Sequence, residues 1–200
     1  MKNLFASIST ALEQIQHGWT SEAQAFAMAS SIVALRASMS VEIGVWAGKG
    51  LITMGLAHKA LNHGMAIGID PYSKAQSIKG QGDAAHAKWW GEVDHLEMLK
   101  TAKENIAKNG VEDWVRLATC PSDDFPPPEG IGVLRVDGNH GEQALRDVHR
   151  FAPNVMPGGI LFLDDLNWAG GAVNAAAAWL RSNGWQGLYP LGSTLVFQKV

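Results

Sequence analysis

Four short apolar runs in this chain carry or end on a carboxylate: Val41 to Val45 around Glu42, Met65 to Ile69 before Asp70, Ile131 to Val136 before Asp137, and Ile160 to Leu163 before Asp164 and Asp165. Asp137, Asp164 and Asp165 have no Cys or paired His nearby, so they form an all-oxygen donor set suited to a hard cation such as magnesium, manganese or calcium. If the last two runs are neighbouring strands, their ends lie about 4.8 Å apart, close enough for these acids to converge on one ion. Consecutive strand residues point to opposite faces, so Asp164 and Asp165 can ligate together only where the strand has already turned into loop. His140 follows Asp137 by three residues in a Gly-flanked turn. With an ordinary pKa of about 6.5, it is the candidate base for a hydroxyl proton. Glu42 lies inside an apolar strand, where an unpaired charge is costly, and therefore calls for a polar ligand or partner.

The turn Gly44-Val45-Trp46-Ala47-Gly48-Lys49-Gly50 lets a ligand approach the backbone closely. A phosphate P-loop needs four residues between its first Gly and Gly-Lys, then Ser or Thr; here three intervene and Gly50 follows Lys49. The dinucleotide fingerprint has glycines at its first, third and sixth positions, whereas Gly44, Gly48 and Gly50 are spaced in the reverse sense. The third candidate is a nucleoside without phosphates that carries an amino-acid tail. Asp70, twenty residues past Gly50, stands where an acid accepts ribose hydroxyls, a role that an NAD site would share.

The elements that must position these residues follow from periodicity. Two helices fill the first forty residues, the second from about Ser21 to Leu35 with a capping box at Ser21 and Gln24. A strand at 41–45, a helix at 51–61 and a strand at 65–69 make one βαβ unit. A helix capped by Asp94 presents Leu96, Leu99 and Ile106 on one face, and strands follow at 114–119 and 131–136. A helix over 142–152, the turn Met156-Pro157-Gly158-Gly159, a strand at 160–163, a helix from Gly170-Gly171 to about Arg181, and two β runs at 186–189 and 194–198 complete the chain. The predicted fold is α/β: a mostly parallel seven-stranded sheet with helices on both faces and a C-terminal antiparallel hairpin. One domain spans 1–200, with an N-terminal helical segment at 1–37 and a long polar connection at 71–92 that reads as a lid.

Composition narrows the function. Of 200 residues, 46% are hydrophobic and 18% charged, which excludes disorder. Sixteen basic against nineteen acidic residues, with no Lys/Arg run, argue against phosphate-driven nucleic-acid binding and favour a small ligand. Cys120 is alone, so no internal disulfide forms, and the N-terminus shows no leader pattern; the expectation is a cytoplasmic protein. No run reaches the 18 or so apolar residues of a membrane span. Eight Trp stand against two Tyr, and Trp19, Trp46, Trp89, Trp90 and Trp168 fall beside the candidate site elements. Such an aromatic rim would exclude water and favour a flat or apolar acceptor. The apolar N-terminal helices offer surface for a homodimer.

The segment EIGVWAGKG resembles the first motif of class I S-adenosylmethionine (SAM) methyltransferases, in which an acid precedes G-x-x-x-G at the end of strand one. VDGNHGEQALRDVHRFAPNVMPGGILFLDDLNW resembles the corresponding stretch of metal-dependent, macrocin-type O-methyltransferases and their catechol and caffeoyl-CoA relatives. The resemblance covers roughly residues 18 to 168. It implies a Rossmann-like fold and transfer of a methyl group from SAM to a hydroxyl oxygen of a small molecule, assisted by a divalent cation such as magnesium. It further implies that Glu42, Gly44, Val45 and Gly50 line the methionine and ribose side, Asp70 the ribose, Ser122 the adenine region, and Thr20 or Ser21 the tail. Asp137, Asp164 and Asp165 would hold the metal, and His140 would act as the base beside Asp137. An NAD-dependent oxidoreductase and a non-catalytic SAM-binding protein are the alternative readings.

Overall fold

A computed structural model describes residues 2–79, 84–168 and 171–200. Its strands are β1 (Met39–Ile43), β2 (Met65–Ile69), β3 (Val115–Ala118), β4 (Ile131–Val136), β5 (Val155–Leu163), β6 (Trp185–Leu191) and β7 (Thr194–Lys199). They form one seven-stranded sheet in the order β3-β2-β1-β4-β5-β7-β6. Strands β1 to β5 run parallel, and β7 pairs antiparallel to both β5 and β6. The order reverses beside β1, where β2 lies on one side and β4 on the other, so the connections leaving the carboxyl ends of β1 and β4 diverge and open a crevice.

The α-helices among the described residues are α1 (Lys2–Gln14), α2 (Glu22–Leu35), α3 (Lys49–Leu61), α4 (Lys74–Ile78), α5 (Ala84–Glu92), α6 (His95–Lys108), α7 (Glu142–Phe151) and α8 (Ala172–Ser182). One apolar cluster joins the sheet to α1, α2, α3 and α6 through residues such as Ile8, Met28, Ile52 and Ile106. A second joins the opposite face to α7 and α8 through Val148, Phe151, Ala176 and Leu180. Leu4, Ile8 and Ala11 of α1, and Ile15 just after it, are buried in the first cluster, so this stripe faces the interior of its own chain. Among the described residues no helix is long and apolar enough to cross a membrane.

The differences from the periodicity reading have local causes. β1 ends at Ile43 because Gly44 takes a positive φ of 88°, which leaves Val45 in the turn. β5 starts at Val155, because the Met156 to Gly159 segment stays in the strand as an irregularity that shifts the register against β4. In α6, Leu96 is 75% exposed and the core face consists of His95, Met98, Ala102 and Ile106. Ser21 and Asp94 cap α2 and α6 as expected, Ser21 in a complete capping box with Gln24. The 71–92 connection carries α4 and α5, while residues 80–83 of that proposed lid lie outside the described residues, as does Gly170 at the turn before α8.

Candidate functional site

Gly44, Asp70, Asp137 and Asp164 each come directly after a strand, and each continues the sheet by one backbone bond. Their N–H groups donate to Ile69, Ala118, Ile43 and Val136 carbonyls at 2.9 to 3.1 Å. The three acids therefore leave the sheet at one level, facing the crevice. A Cβ on Gly44 would lie 2.1 Å from the Asp137 carbonyl oxygen, so only glycine lets β1 and β4 come this close at their ends. Asp70 ties the turn down: Oδ2 accepts from the Val45 and Trp46 N–H groups at 3.0 Å, and Oδ1 from the Tyr72 N–H at 2.8 Å. Burial pushes its pKa up in spite of these bonds.

Asp165 has a positive φ of 56°, so the chain has left the strand there and both neighbouring carboxylates turn toward one point. Ligand oxygens of Asp137, Asp164 and Asp165 lie within 4.8 Å of one another. A fourth charge sits among them. The buried Arg135 guanidinium places Nη2 2.6 Å from Asp137 Oδ2 and 2.9 Å from Asp164 Oδ2, while Nη1 lies 2.7 Å from Glu42 Oε1 and donates to Thr20 Oγ1 at 2.9 Å. Glu42 and Arg135 are register partners across β1 and β4, which places their side chains on the same sheet face. Burial raises the Glu42 pKa to about 7 against the pull of Arg135. Burial also raises Asp137, with the neighbouring Asp164 and Asp165 adding to the effect. Asp164 is held below the usual range, because the Arg135 charge and the Thr194 hydroxyl outweigh its desolvation.

Asp164 is also the most heavily bonded of these acids. Oδ1 accepts from Thr194 Oγ1 at 2.7 Å, Ser193 Oγ at 3.1 Å and the Asp165 N–H at 3.0 Å; Oδ2 accepts from Gln24 Nε2 at 3.2 Å. Gln24 donates in addition to Thr194 Oγ1, and its carbonyl receives the Ser21 N–H at 2.6 Å. The first turn of α2 is thereby locked to the acid pair and to β7.

A cavity of about 830 Å³ opens over these strand ends. Thr20, Gly44, Val45, Asp70, Ser122, Arg135, Asp137, His140, Asp164 and Asp165 all line it. Trp46, Trp89 and Trp90 wall one side with ring centroids 4.8 to 6.1 Å apart, and the exposed Trp19 stacks on Trp46 at 6.2 Å. Trp168 packs 4.6 Å from both His86 and His140. His140 Nε2 is 3.1 Å from Asp165 Oδ2, and burial lowers the imidazole pKa despite that carboxylate. Asn139 donates to the Gln76 and Lys79 carbonyls at 3.2 and 2.7 Å, fastening the α4 segment to the loop that carries His140.

At the far end, Ser122 Oγ donates to Asp147 Oδ1 at 2.6 Å, and Gln143 Nε2 donates to the same oxygen at 2.9 Å. Asp147 Oδ2 is buried and has no hydrogen-bond partner among the described residues, and burial lifts the Asp147 pKa to about 6.

Three expected site residues are placed elsewhere. Ser21 points back to cap α2, and it is Thr20 that reaches the cavity. Glu42 lies fully buried behind Arg135 rather than on the cavity wall. Gly50 is one step inside α3, where a Cβ would meet Glu42 Oε1 at 1.8 Å and Arg135 Nη1 at 2.4 Å; it makes room for the ion pair. Sequence reasoning missed Arg135, Gln24, Gln143 and Asp147. An Arg inside IGVLRV, two residues before an acid, was the legible signal for the first; the others depend on contacts between distant segments.

Comparison with solved structures shows the fold to be a shared one. The O-methyltransferase NovP superposes with a TM-score of 0.70 at 18% identity, covering 88% of this chain and 78% of its own. The O-methyltransferase TomG from Streptomyces achromogenes, solved in complex with SAM, gives 0.63 at 14% identity over 98% and 89%. An O-methyltransferase from Bacillus cereus in complex with SAH gives 0.66 at 13% identity over 98% and 90%. No curated protein sequence is a significant match. A family model described as a methyltransferase domain matches residues 41–166, from β1 through the acid pair that follows β5. The segment that builds the strand-end crevice is thus the segment that carries the family pattern, and the chain belongs to the methyltransferase-domain family.

Proposed function

We propose that this protein transfers a methyl group from SAM to a hydroxyl oxygen of a small, flat acceptor, assisted by a divalent cation such as magnesium. The observation that carries this reading is the division of one cavity into three chemistries: Asp70 and Val45 at the glycine turn, the acids Asp137, Asp164 and Asp165 with His140, and a tryptophan wall. The residues fit a cation. Carboxylate oxygens of Asp137, Asp164 and Asp165 converge within 4.8 Å, and Asp165 stays outside the ion pairs that Arg135 makes with the other two, so an all-oxygen donor set is available to a hard cation. Asp137, Asp164 and Asp165 would hold the ion, which supplies Lewis acidity toward an acceptor oxygen when bound. SAM supplies the electrophilic methyl group.

The chain's own residues do the rest. Asp70 and the turn at Gly44 and Val45 orient the ribose and the tail, with Thr20 beside them. Ser122, set by Asp147 and Gln143, stands at the adenine end. The Asp165 carboxylate beside Nε2 favours the imidazole tautomer with its proton on that nitrogen, leaving Nδ1 of His140 to take the acceptor's proton. The tryptophans exclude water and stack on a flat acceptor. Trp89 and Trp90 belong to α5, so the connection read as a lid itself supplies two of the three rings of this wall.

Methyl-labelled SAM incubated with a panel of phenolic acceptors tests the reading. Label should enter an acceptor, stop on addition of EDTA and resume with magnesium. Bound SAM that is never consumed across the panel would overturn catalysis, and turnover indifferent to EDTA would overturn the cation's part. A thermal shift with NADH but none with SAM would replace the reading by a nicotinamide site.

A further inference from the structure

The Arg135 guanidinium shares its acids with the cation named above. Of the three carboxylates that converge, Asp137 and Asp164 already bond to Arg135 Nη2, at 2.6 and 2.9 Å, and only Asp165 has no bond to it among the described residues. The guanidinium cannot drift away, because Nη1 is held by Glu42 and Thr20. Gly50 leaves it the space, and the side chain is 3% exposed. Arg does not deprotonate in a protein, so this charge is permanent. A dication entering the cluster meets a fixed positive charge in a buried setting where charges interact strongly.

We propose that Arg135 is a built-in counter-ion that shares Asp137 and Asp164 with the divalent cation and thereby sets its affinity, holding the acid cluster together without metal and keeping metal binding weak and exchangeable. The inference rests on the cation reading above but concerns a residue that this reading does not use. Two carboxylates that would repel one another in an empty site are instead bridged by one guanidinium, and the cation must divide them with it.

The test is a titration of Mn²⁺ followed by electron paramagnetic resonance of the free ion, on the wild-type chain, on Glu42→Gln, and on the double variant Glu42→Gln/Arg135→Met. The double change removes both members of the buried pair together, so that neither is left unpaired. Near-ultraviolet circular dichroism checks that each variant folds. The double variant should bind one Mn²⁺ at least about tenfold more tightly than wild type, while Glu42→Gln, which loses a negative charge and keeps the guanidinium, should bind no more tightly than wild type. Its melting temperature should also rise with Mn²⁺ more than that of the wild type, because its acids have lost their internal counter-ion. Unchanged or weaker Mn²⁺ affinity in a folded double variant would overturn the proposal and leave the cation reading standing. No Mn²⁺ binding by any of the three proteins at millimolar metal would overturn both. Should the double variant fail to fold without metal, refolding it across a Mn²⁺ series gives the same answer: recovery at Mn²⁺ concentrations below those that saturate wild type supports the proposal, and no recovery at any concentration refutes it.

Discussion

Gly50→Ala separates a ligand-lining glycine from one that houses an ion pair. Gly50 sits in the first turn of α3 without a positive φ, so alanine brings no backbone strain, and helix propensity can add at most about 1 kcal/mol of stability. The added Cβ, however, would stand 1.8 Å from Glu42 Oε1 and 2.4 Å from Arg135 Nη1. Such ends of long side chains can ordinarily swing aside. Here they are 0% and 3% exposed and bonded to each other at 2.7 Å, so moving them breaks the pair in place. Breaking a buried pair costs about 3 to 5 kcal/mol, which leaves a net loss of roughly 2 to 4 kcal/mol. For a chain of this size that is a fall in melting temperature of about 4 to 16 °C. Thermal and urea unfolding of the two proteins measure it directly, and calorimetric titration with SAM reports on the site. A melting temperature equal to or above wild type, together with a weakened SAM affinity, would refute the reasoning and return Gly50 to the cofactor wall.

Two further outcomes follow from the titrating groups. Asp147 has its pKa raised by burial to about 6, so the folded chain holds a proton that the unfolded chain releases nearer the ordinary 3.8; its contribution to stability is lost as pH climbs through that interval. Asp147→Asn should therefore raise the melting temperature of the ligand-free protein at pH 7.5 by more than at pH 4, with an upper bound of about 3 kcal/mol, and equal shifts at both pH values in differential scanning fluorimetry would count against it. For His140, burial lowers the pKa below 6.5, so the base is free at neutrality and activity should decline only on the acid side of that value. His140→Gln should lower kcat/KM by about 10² to 10⁴ and abolish that acid limb; a variant that keeps the limb would assign it to another group.

The elements were largely legible because their signals are local. Ser21 and Gln24 announce the start of α2, the apolar run 131–136 coincides with β4, and each of the acids 70, 137 and 164 stands at a strand end. Where structure and periodicity differ, at the end of β1, the start of β5 and the inner face of α6, the chain follows a glycine turn, an irregularity or a neighbour that periodicity does not encode.

What residue order determined, then, was which strands end in acids and that a glycine turn follows the first. The tertiary structure decided what those acids meet. Arg135 faces Glu42 because of the register between β1 and β4, a relation between segments 93 residues apart. Gln24 reaches Asp164 across 140 residues because the fold brings α2 against β5 and β7. Asp164 and Asp165 converge because one residue takes a left-handed conformation that its own type does not demand. Hydrophobic period and capping act within a few residues and so can be read along the chain. Charge pairing in a buried site depends on distances between remote backbones, and these exist only once the sheet has formed.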